Sequence, residues 1–135
     1  MKYKLCLLCL VMVLLVACNM QLTDAPSISD IKVEPTYVRQ GEKFSIGYVV
    51  HNPLPVNFVG AIDFKSDCFQ NTPIKKEISI SAGDKVPFKG DFFAYNQNSG
   101  NVKEKCQGIQ EVTVVLEDGD GKKLASYGVQ LNIVS

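Results

Sequence analysis

Lys43-Phe-Ser-Ile-Gly-Tyr-Val-Val-His-Asn52 is the stretch that decides the fold. Alternation with a period of two is typical of a β-strand that buries one face, because successive side chains of a strand point to opposite sides. Small or polar residues separate the apolar ones here, which are Phe44, Ile46, Tyr48 and Val50. The stretch therefore predicts a strand whose four apolar side chains face the core.

The same alternation recurs along the rest of the chain. Apolar residues alternate with polar or small ones in six further segments, at residues 31–33, 58–64, 74–80, 88–94, 112–116 and 125–133. Turn-forming residues separate these segments. The clearest turn is Glu117-Asp-Gly-Asp-Gly121, where glycine accepts the positive φ that a tight hairpin needs. About seven short strands without an amphipathic helix predict an all-β fold, either a sandwich or a barrel.

The sequence from Ile28 to Asn52 resembles the start of bacterial immunoglobulin-like domains. In that family a strand ending in proline leads through a Gly-Glu turn into a second strand that ends at asparagine, as Pro35, Gly41-Glu42 and Asn52 do here. The resemblance covers residues 28–52 and implies an antiparallel, immunoglobulin-like β-sandwich of about seven strands. The chain lacks the tryptophan and the inter-sheet cysteine pair of antibody domains, so the antibody type is not implied.

The first eighteen residues have the layout of a secretory signal. Lys2 and Lys4 precede an uncharged apolar run from Leu5 to Val16. This run is shorter than the roughly 20 apolar residues that a helix needs to cross a bilayer. A cleaved signal is therefore favoured over a transmembrane helix.

The end of that run, Leu15-Val16-Ala17-Cys18, resembles the lipobox of bacterial lipoproteins. In that family cleavage falls just before the cysteine, which then carries the lipid; an ordinary signal-peptidase cut is the alternative. The resemblance implies a helical signal peptide over residues 1–17, a tether over residues 18–29 lipidated at Cys18, and a domain over residues 30–135. It also implies a membrane partner for the lipid. Asn19 stands where enteric lipoproteins retained in the inner membrane carry aspartate, so we expect the outer membrane, with the domain in the periplasm.

Cysteine usage indicates one disulfide. Of the five cysteines, Cys6 and Cys9 leave with the signal peptide and Cys18 carries the lipid, which leaves Cys68 and Cys106. An exported chain lies in a compartment that permits disulfides, so a Cys68–Cys106 bond is favoured over two free thiols or a metal pair. The immunoglobulin-like resemblance implies the same pairing, because in that fold the third strand ends and the sixth begins at one rim of a sheet.

The length of the predicted mature chain suits one domain, and its charge and composition argue against a nucleic-acid partner. Removing residues 1–17 from the 135-residue chain leaves 118 residues, which suits one compact domain. Lys2 and Lys4 leave with the signal, so 12 of the 14 basic side chains remain beside 14 acidic ones, a formal charge of −2. The lysines are scattered, Arg39 is the only arginine, and tryptophan is absent.

The sequence carries no recognisable catalytic or metal-binding motif. His51 is the only histidine, and its place before a proline turn favours a solvated turn residue over a catalytic base or a ligand. The acidic turn from Asp118 to Gly121 begins like a calcium loop, but Val129 occupies the twelfth place, where that loop needs a glutamate. We therefore expect neither an enzyme nor a bound metal or cofactor.

Four side chains are candidates for contact with a protein partner. Phe93 and Tyr95 would point outward if their strand continues, and they would then form either a docking patch or a support for the polar loop that follows. Leu54 and Phe58 lie in and just after the proline-flanked loop, where exposed apolar groups suit partner contact.

Two functions from different classes fit these features. The first is a non-enzymatic, lipid-anchored lipoprotein of the cell envelope that binds or assembles another envelope protein. The second is an envelope-anchored inhibitor, or immunity-type protein, directed against a hydrolase or toxin.

Overall fold

The computed structural model of the protein describes residues 25–70, 74–95 and 106–134. The predicted signal peptide and Cys18 lie outside the described residues, as does most of the predicted tether. The described residues contain no helix long and apolar enough to cross a membrane.

These residues form nine β-strands arranged in two sheets. Sheet I has the strand order β1-β3-β7-β5, and sheet II has the order β2-β9-β8-β4-β6. The predicted all-β sandwich is confirmed, and its seven longer strands contain the seven predicted alternations. The strands are β1 (Ser27–Glu34), β2 (Tyr37–Arg39), β3 (Lys43–His51), β4 (Phe58–Lys65), β5 (Phe69–Gln70), β6 (Ile74–Ile80), β7 (Lys85–Ala94), β8 (Gly108–Asp118) and β9 (Lys123–Val134).

The first two strands depart from the predictions. β1 begins at Ser27 rather than at residue 30, because Ile28 pairs with Val50 and its side chain is buried. Residues 27–29, which we assigned to the tether, therefore belong to the sandwich. β2 was not predicted, and it pairs with β9 in parallel, so sheet II is not wholly antiparallel. The chain crosses from sheet I to sheet II at Pro35 and Thr36. It then runs as β2 alongside β9, the last strand of the chain.

The core lies between the two sheets and is rich in aromatic rings. The four apolar side chains of β3 are at most 3% exposed, as the alternation predicts. Phe44 packs against Phe69 with ring centroids 5.2 Å apart, and Phe64 packs against Phe92 at 4.8 Å. Burial raises the pKa of the Tyr48 hydroxyl to about 12. Rings packed at these distances contribute beyond their buried area, and the Phe64–Phe92 pair, which joins sheet II to sheet I, helps to fix the separation of the sheets.

The register gives the sandwich two distinct ends. At one end, which we call the tether end, the chain enters at Ser27, and Ser27 pairs with His51 beside the loop at residues 52–57. The hairpin between β8 and β9 lies at the same end, because Asp118 at the end of β8 pairs with Gly60 near the start of β4. Its turn is closed by the Asp118 carboxylate, which accepts hydrogen bonds from the backbone N–H groups of Asp120 and Lys122.

The opposite end, which we call the disulfide end, carries the predicted Cys68–Cys106 bond. The two Cα atoms are 5.3 Å apart, and both side chains are buried. β4 and β8 are antiparallel neighbours in sheet II, so the end of one and the start of the other meet at this rim. The pairing that the sequence indicated is therefore confirmed, for the geometric reason that the family resemblance implied.

Gly60 marks a close approach inside sheet II. A Cβ at this position would lie 2.2 Å from the backbone oxygen of Glu117 and 2.5 Å from Cζ of Phe58. The Glu117 oxygen cannot retreat without disturbing the pairing of β4 with β8, so Gly60→Ala is expected to lower the free energy of unfolding by about 3 kcal/mol. Urea unfolding followed by circular dichroism measures this difference.

Gly47→Ala is the matched control for that substitution. Gly47 also lies inside a strand, but the nearest atom to its added Cβ would be the backbone oxygen of Phe88, at 3.9 Å. Alanine removes some freedom from the unfolded chain, so we expect a change of zero to about 1 kcal/mol in the stabilising direction. Equal destabilisation by both substitutions would contradict the assignment of the cost to the contact at Gly60.

Candidate docking surface

Large apolar side chains are exposed mainly at the two ends of the sandwich. Val56 and Val59 are 61% and 62% exposed at the tether end. Tyr37, Ile109 and Phe93 are 66%, 69% and 43% exposed at the disulfide end. Exposed apolar groups that lie together are the usual mark of a docking surface, whereas scattered ones need no explanation. The register of the strands decides which of these positions are neighbours.

The prediction that Phe58 is exposed is wrong. Its side chain is 7% exposed, and its ring lies over Gly60, where the missing side chain leaves room for it. Phe58 opens β4 on the same face as Ile62 and Phe64, so it belongs to the core rather than to the loop. Leu54 is half-buried in the loop at the tether end.

Phe93 and Tyr95 do not form the predicted outward pair. Phe93 is exposed on the outer face of sheet I, between Lys43 and Gln70 in the register. Tyr95 is half-buried and packs against the core. The alternation stops at Ala94, where β7 ends, and the Tyr95 N–H donates to the backbone oxygen of Cys68. The Tyr95 hydroxyl is buried without a hydrogen-bond partner among the described residues.

The four predicted contact residues therefore do not lie on one surface. Leu54 and Phe58 are at the tether end, whereas Phe93 and Tyr95 are at the disulfide end. The ten residues of β7 separate those ends by about 30 Å. A single partner-binding patch built from all four is excluded.

A row of side chains that we did not predict crosses the outer face of sheet II. Asn132 of β9 pairs with Tyr37 of β2 on one side and with Ile109 of β8 on the other. Paired residues of neighbouring strands point to the same face, so the two apolar side chains flank Asn132 at a spacing of about 10 Å. They are the two most exposed large apolar side chains among the described residues.

Two further residues extend this row. Arg39 follows Tyr37 on the same face of β2 and pairs with Val134 of β9. Arg39 is exposed, and Val134 is half-buried. Tyrosine and arginine are the residue types that most often dominate the binding energy of protein interfaces. We name this set the distal patch, and it consists of Tyr37, Arg39, Ile109, Asn132 and Val134.

Ion pairs lie on both sheets, between β3 and β7 of sheet I and between β6 and β8 of sheet II. Lys43 Nζ lies 2.8 Å from the Asp91 carboxylate on sheet I, and the Ser45 hydroxyl donates to the same group at 2.6 Å. These hydrogen bonds, that of Lys43 foremost, hold the pKa of Asp91 below its ordinary value. On sheet II, the hydrogen bond to Glu117 raises the pKa of Lys75. The Lys43–Asp91 pair is exposed, so it contributes little to stability and keeps its part of sheet I solvated. Glu117 is buried, so its pair with Lys75 is only partly open to solvent.

The described residues do not assemble a metal centre. No group of three or more histidine, cysteine, aspartate or glutamate side chains in the described ranges could hold a metal ion. The Asp118 carboxylate, the first residue of the calcium-like sequence, is occupied by the turn of its own hairpin.

Comparisons with known proteins bear on the fold. No protein-family model matches the chain, and no curated protein is significantly similar to it. Solved structures do match. The alkylpurine DNA glycosylase AlkC of Pseudomonas fluorescens, bound to DNA containing an abasic site analog, superposes with a TM-score of 0.60 at 16% identity. That match covers 90% of this chain but only 33% of the glycosylase chain, so this protein spans one third of its length.

Two further matches cover nearly all of the other chain. The cupredoxin domain of amoB from Nitrosocaldus yellowstonii has a TM-score of 0.61 at 10% identity, over 84% of this chain and 89% of that one. The FixG-related protein from Vibrio parahaemolyticus has a TM-score of 0.58 at 11% identity, over 84% of this chain and 100% of that one. At these identities the likeness extends to the sandwich fold alone.

Proposed function

We propose that the protein is a lipid-anchored, non-enzymatic binding module of the bacterial cell envelope, and that it docks another envelope protein through the distal patch. The observation that carries this proposal is the Tyr37–Asn132–Ile109 row. It gathers the most exposed apolar side chains of the described residues at the end of the sandwich that lies away from the tether.

The sequence before the domain supports the anchor. Leu15-Val16-Ala17-Cys18 matches the lipobox pattern, and Cys18 precedes Ala25, the first described residue, by seven positions. A chain of seven residues spans at most about 25 Å, so the lipid keeps the tether end close to the bilayer. The outer membrane, with the domain in the periplasm, is the location that Asn19 favours.

The length of the sandwich supports the placement of the docking surface. Asn132 lies nine residues beyond Lys123 along β9, which separates the distal patch from the tether end by about 30 Å. The patch is then presented away from the lipid, where a second protein can reach it. Anchoring also raises the concentration of the domain near other envelope proteins, so an interface of modest size is enough for binding.

Tyr37→Ala combined with Ile109→Ser is expected to reduce partner binding by at least about tenfold, because truncation of such anchor residues typically costs more than 1 kcal/mol each. The measurement is cross-linking in native envelopes, followed by capture of the protein and quantification of the envelope protein recovered with it. Both side chains are exposed, so the fold is expected to persist, which circular dichroism checks.

Val59→Ser provides the matched control, since Val59 is 62% exposed but lies at the tether end. Its capture of the partner should equal that of the unaltered protein. A loss with Val59→Ser as large as with the patch variant would contradict the assignment of the patch. Mass spectrometry of the native protein should show a chain that begins at Cys18 and carries acyl groups, and an intact Met1 end or an end without acyl mass would overturn the anchor. Recovery of a foreign hydrolase or toxin as the partner would favour the inhibitor function instead.

A further inference from the structure

The loop between β3 and β4 ends in an unusually apolar tip. Residues 53–56 read Pro-Leu-Pro-Val, and Val56 is 61% exposed. Leu54 is half-buried, whereas Pro55 is exposed beside Val56. Val59 adds a further exposed apolar side chain at the start of β4. We call residues 53–56 the loop tip.

Hydrogen bonds from a buried asparagine hold this tip in place. The Asn52 side chain is fully buried, and its amide nitrogen lies 2.8 Å from the backbone oxygen of Val56 and 3.1 Å from that of Ile80. The Leu54 N–H donates to the Asn52 side-chain oxygen, and the Leu54 oxygen accepts from the Gly83 N–H at 3.2 Å. The polar backbone groups of Leu54 are thus paired within the protein. The Val56 oxygen is paired as well, and backbone groups that are paired in this way enter a non-aqueous environment at little cost.

The position of the tip is tied to the lipidated terminus. Ser27 pairs with His51, the residue before Asn52, so the chain enters the sandwich beside the base of the loop. The stretch from Cys18 to Ala25 spans at most about 25 Å. A lipid on Cys18 therefore holds the tip within reach of the bilayer surface, and the distal patch points away from it.

The charges around the tip do not oppose contact with a lipid surface. Lysines and aspartates are equal in number in the turns that surround it at the tether end, so no net negative charge repels the headgroups. These residues are Asp84, Lys85, Asp118, Asp120, Lys122 and Lys123.

We propose that the loop tip inserts Val56 and Pro55 into the headgroup region of the membrane that carries the Cys18 lipid. This inference rests on the anchoring in the proposed function and deepens it. Two small apolar side chains are too few to hold a free domain on a bilayer. They are sufficient to orient a domain that an acyl anchor already confines there. The consequence is an upright domain that presents the distal patch to a partner.

A single introduced tryptophan tests the orientation, because the chain has no tryptophan of its own. Val56→Trp and Ile109→Trp are each prepared in the full lipidated protein and reconstituted into phosphatidylcholine vesicles with ordinary or brominated acyl chains. Interfacial side chains lie roughly 5–10 Å deep at the acyl boundary, so we expect about a twofold loss of Val56→Trp emission in brominated vesicles. Ile109→Trp, at an equally exposed site on the distal patch, is expected to keep its emission.

Flotation of the vesicles distinguishes a failure of the lipid anchor from a failure of the contact between the loop tip and the membrane. If the protein floats with the vesicles and Val56→Trp is not quenched, the inference about the tip is overturned while the anchor stands. Equal quenching of both tryptophans also overturns it, because the domain would then lie flat. If the protein does not float, the anchor fails and the inference fails with it. Val56→Trp quenched beside an unquenched Ile109→Trp supports the proposal in a system without any other protein.

Discussion

Asn52→Asp is expected to lower the free energy of unfolding by about 3 kcal/mol near neutral pH, because it replaces a buried donor with a group that only accepts. The amide nitrogen of Asn52 faces three backbone oxygens, those of Val56, Ile80 and Ser81, at 2.8, 3.1 and 3.2 Å. A carboxylate oxygen placed there meets the same three oxygens without a hydrogen to share. Urea unfolding of the purified protein, followed by circular dichroism, measures the loss.

Asn57→Asp is the control that tests whether burial and loss of a hydrogen-bond donor cause the destabilisation by Asn52→Asp. Asn57 lies in the same loop and is exposed, and its side-chain oxygen accepts a hydrogen bond from the Ala82 N–H at 3.2 Å. Aspartate keeps that acceptor, so the change in stability is expected to stay within about 0.5 kcal/mol. If the two substitutions cost the same, burial and donor loss at Asn52 would not be the source of the effect.

Removal of the disulfide by Cys68→Ala together with Cys106→Ala is expected to cost about 4 kcal/mol, because the bond closes a long loop in the unfolded chain. The two cysteines are 38 positions apart, and both are buried. The same unfolding experiment, performed with the double variant, gives the difference. The Cys106 bond also holds the chain just before Ile109, so the double variant should bind its partner less tightly at equal folded concentration.

Reduction of the unaltered protein supplies the internal control for this prediction. When it is unfolded in the presence of a reductant, it should show the same stability as the double variant, since both then lack the cross-link. An unchanged stability in both cases would contradict a stabilising role for the bond. A loss in the double variant alone would point instead to the packing of the two cysteine side chains in the core.

The two proposals assign one task to each end of the sandwich. The tether end carries the chain entry and the apolar loop tip, whereas the disulfide end carries the distal patch. Because rigid strands connect them, a contact of the tip with the membrane sets the direction in which the patch faces. The orientation of such a domain then limits which partners it meets, even though the two surfaces share no residue.

The candidate site was less accessible to sequence reasoning than the fold. The alternation in Tyr37-Val38-Arg39 places Val38 inside and Tyr37 outside. The alternation around Val112, which is buried, likewise places Ile109 outside. Those signals identify outward side chains one at a time. They do not show that β2 and β8 lie on either side of β9, which is what makes a patch of them. Phe58 was misplaced although the alternation over residues 58–64 aligns it with Ile62 and Phe64, because its place beside a proline loop was interpreted as exposure.

The sequence by itself determined the seven longer strands and the alternation of their buried faces, and it favoured the pairing of Cys68 with Cys106. Period-two burial is a local property of an extended chain, and only two cysteines remain outside the predicted signal and lipid site, which favours one intramolecular pair. Only the tertiary structure decided that Gly60 is pressed against Glu117, and that Tyr37 and Ile109 share a row. The physical reason is that alternation fixes the face on which a side chain lies, whereas its neighbours across a sheet depend on pairing between strands that are distant in the chain.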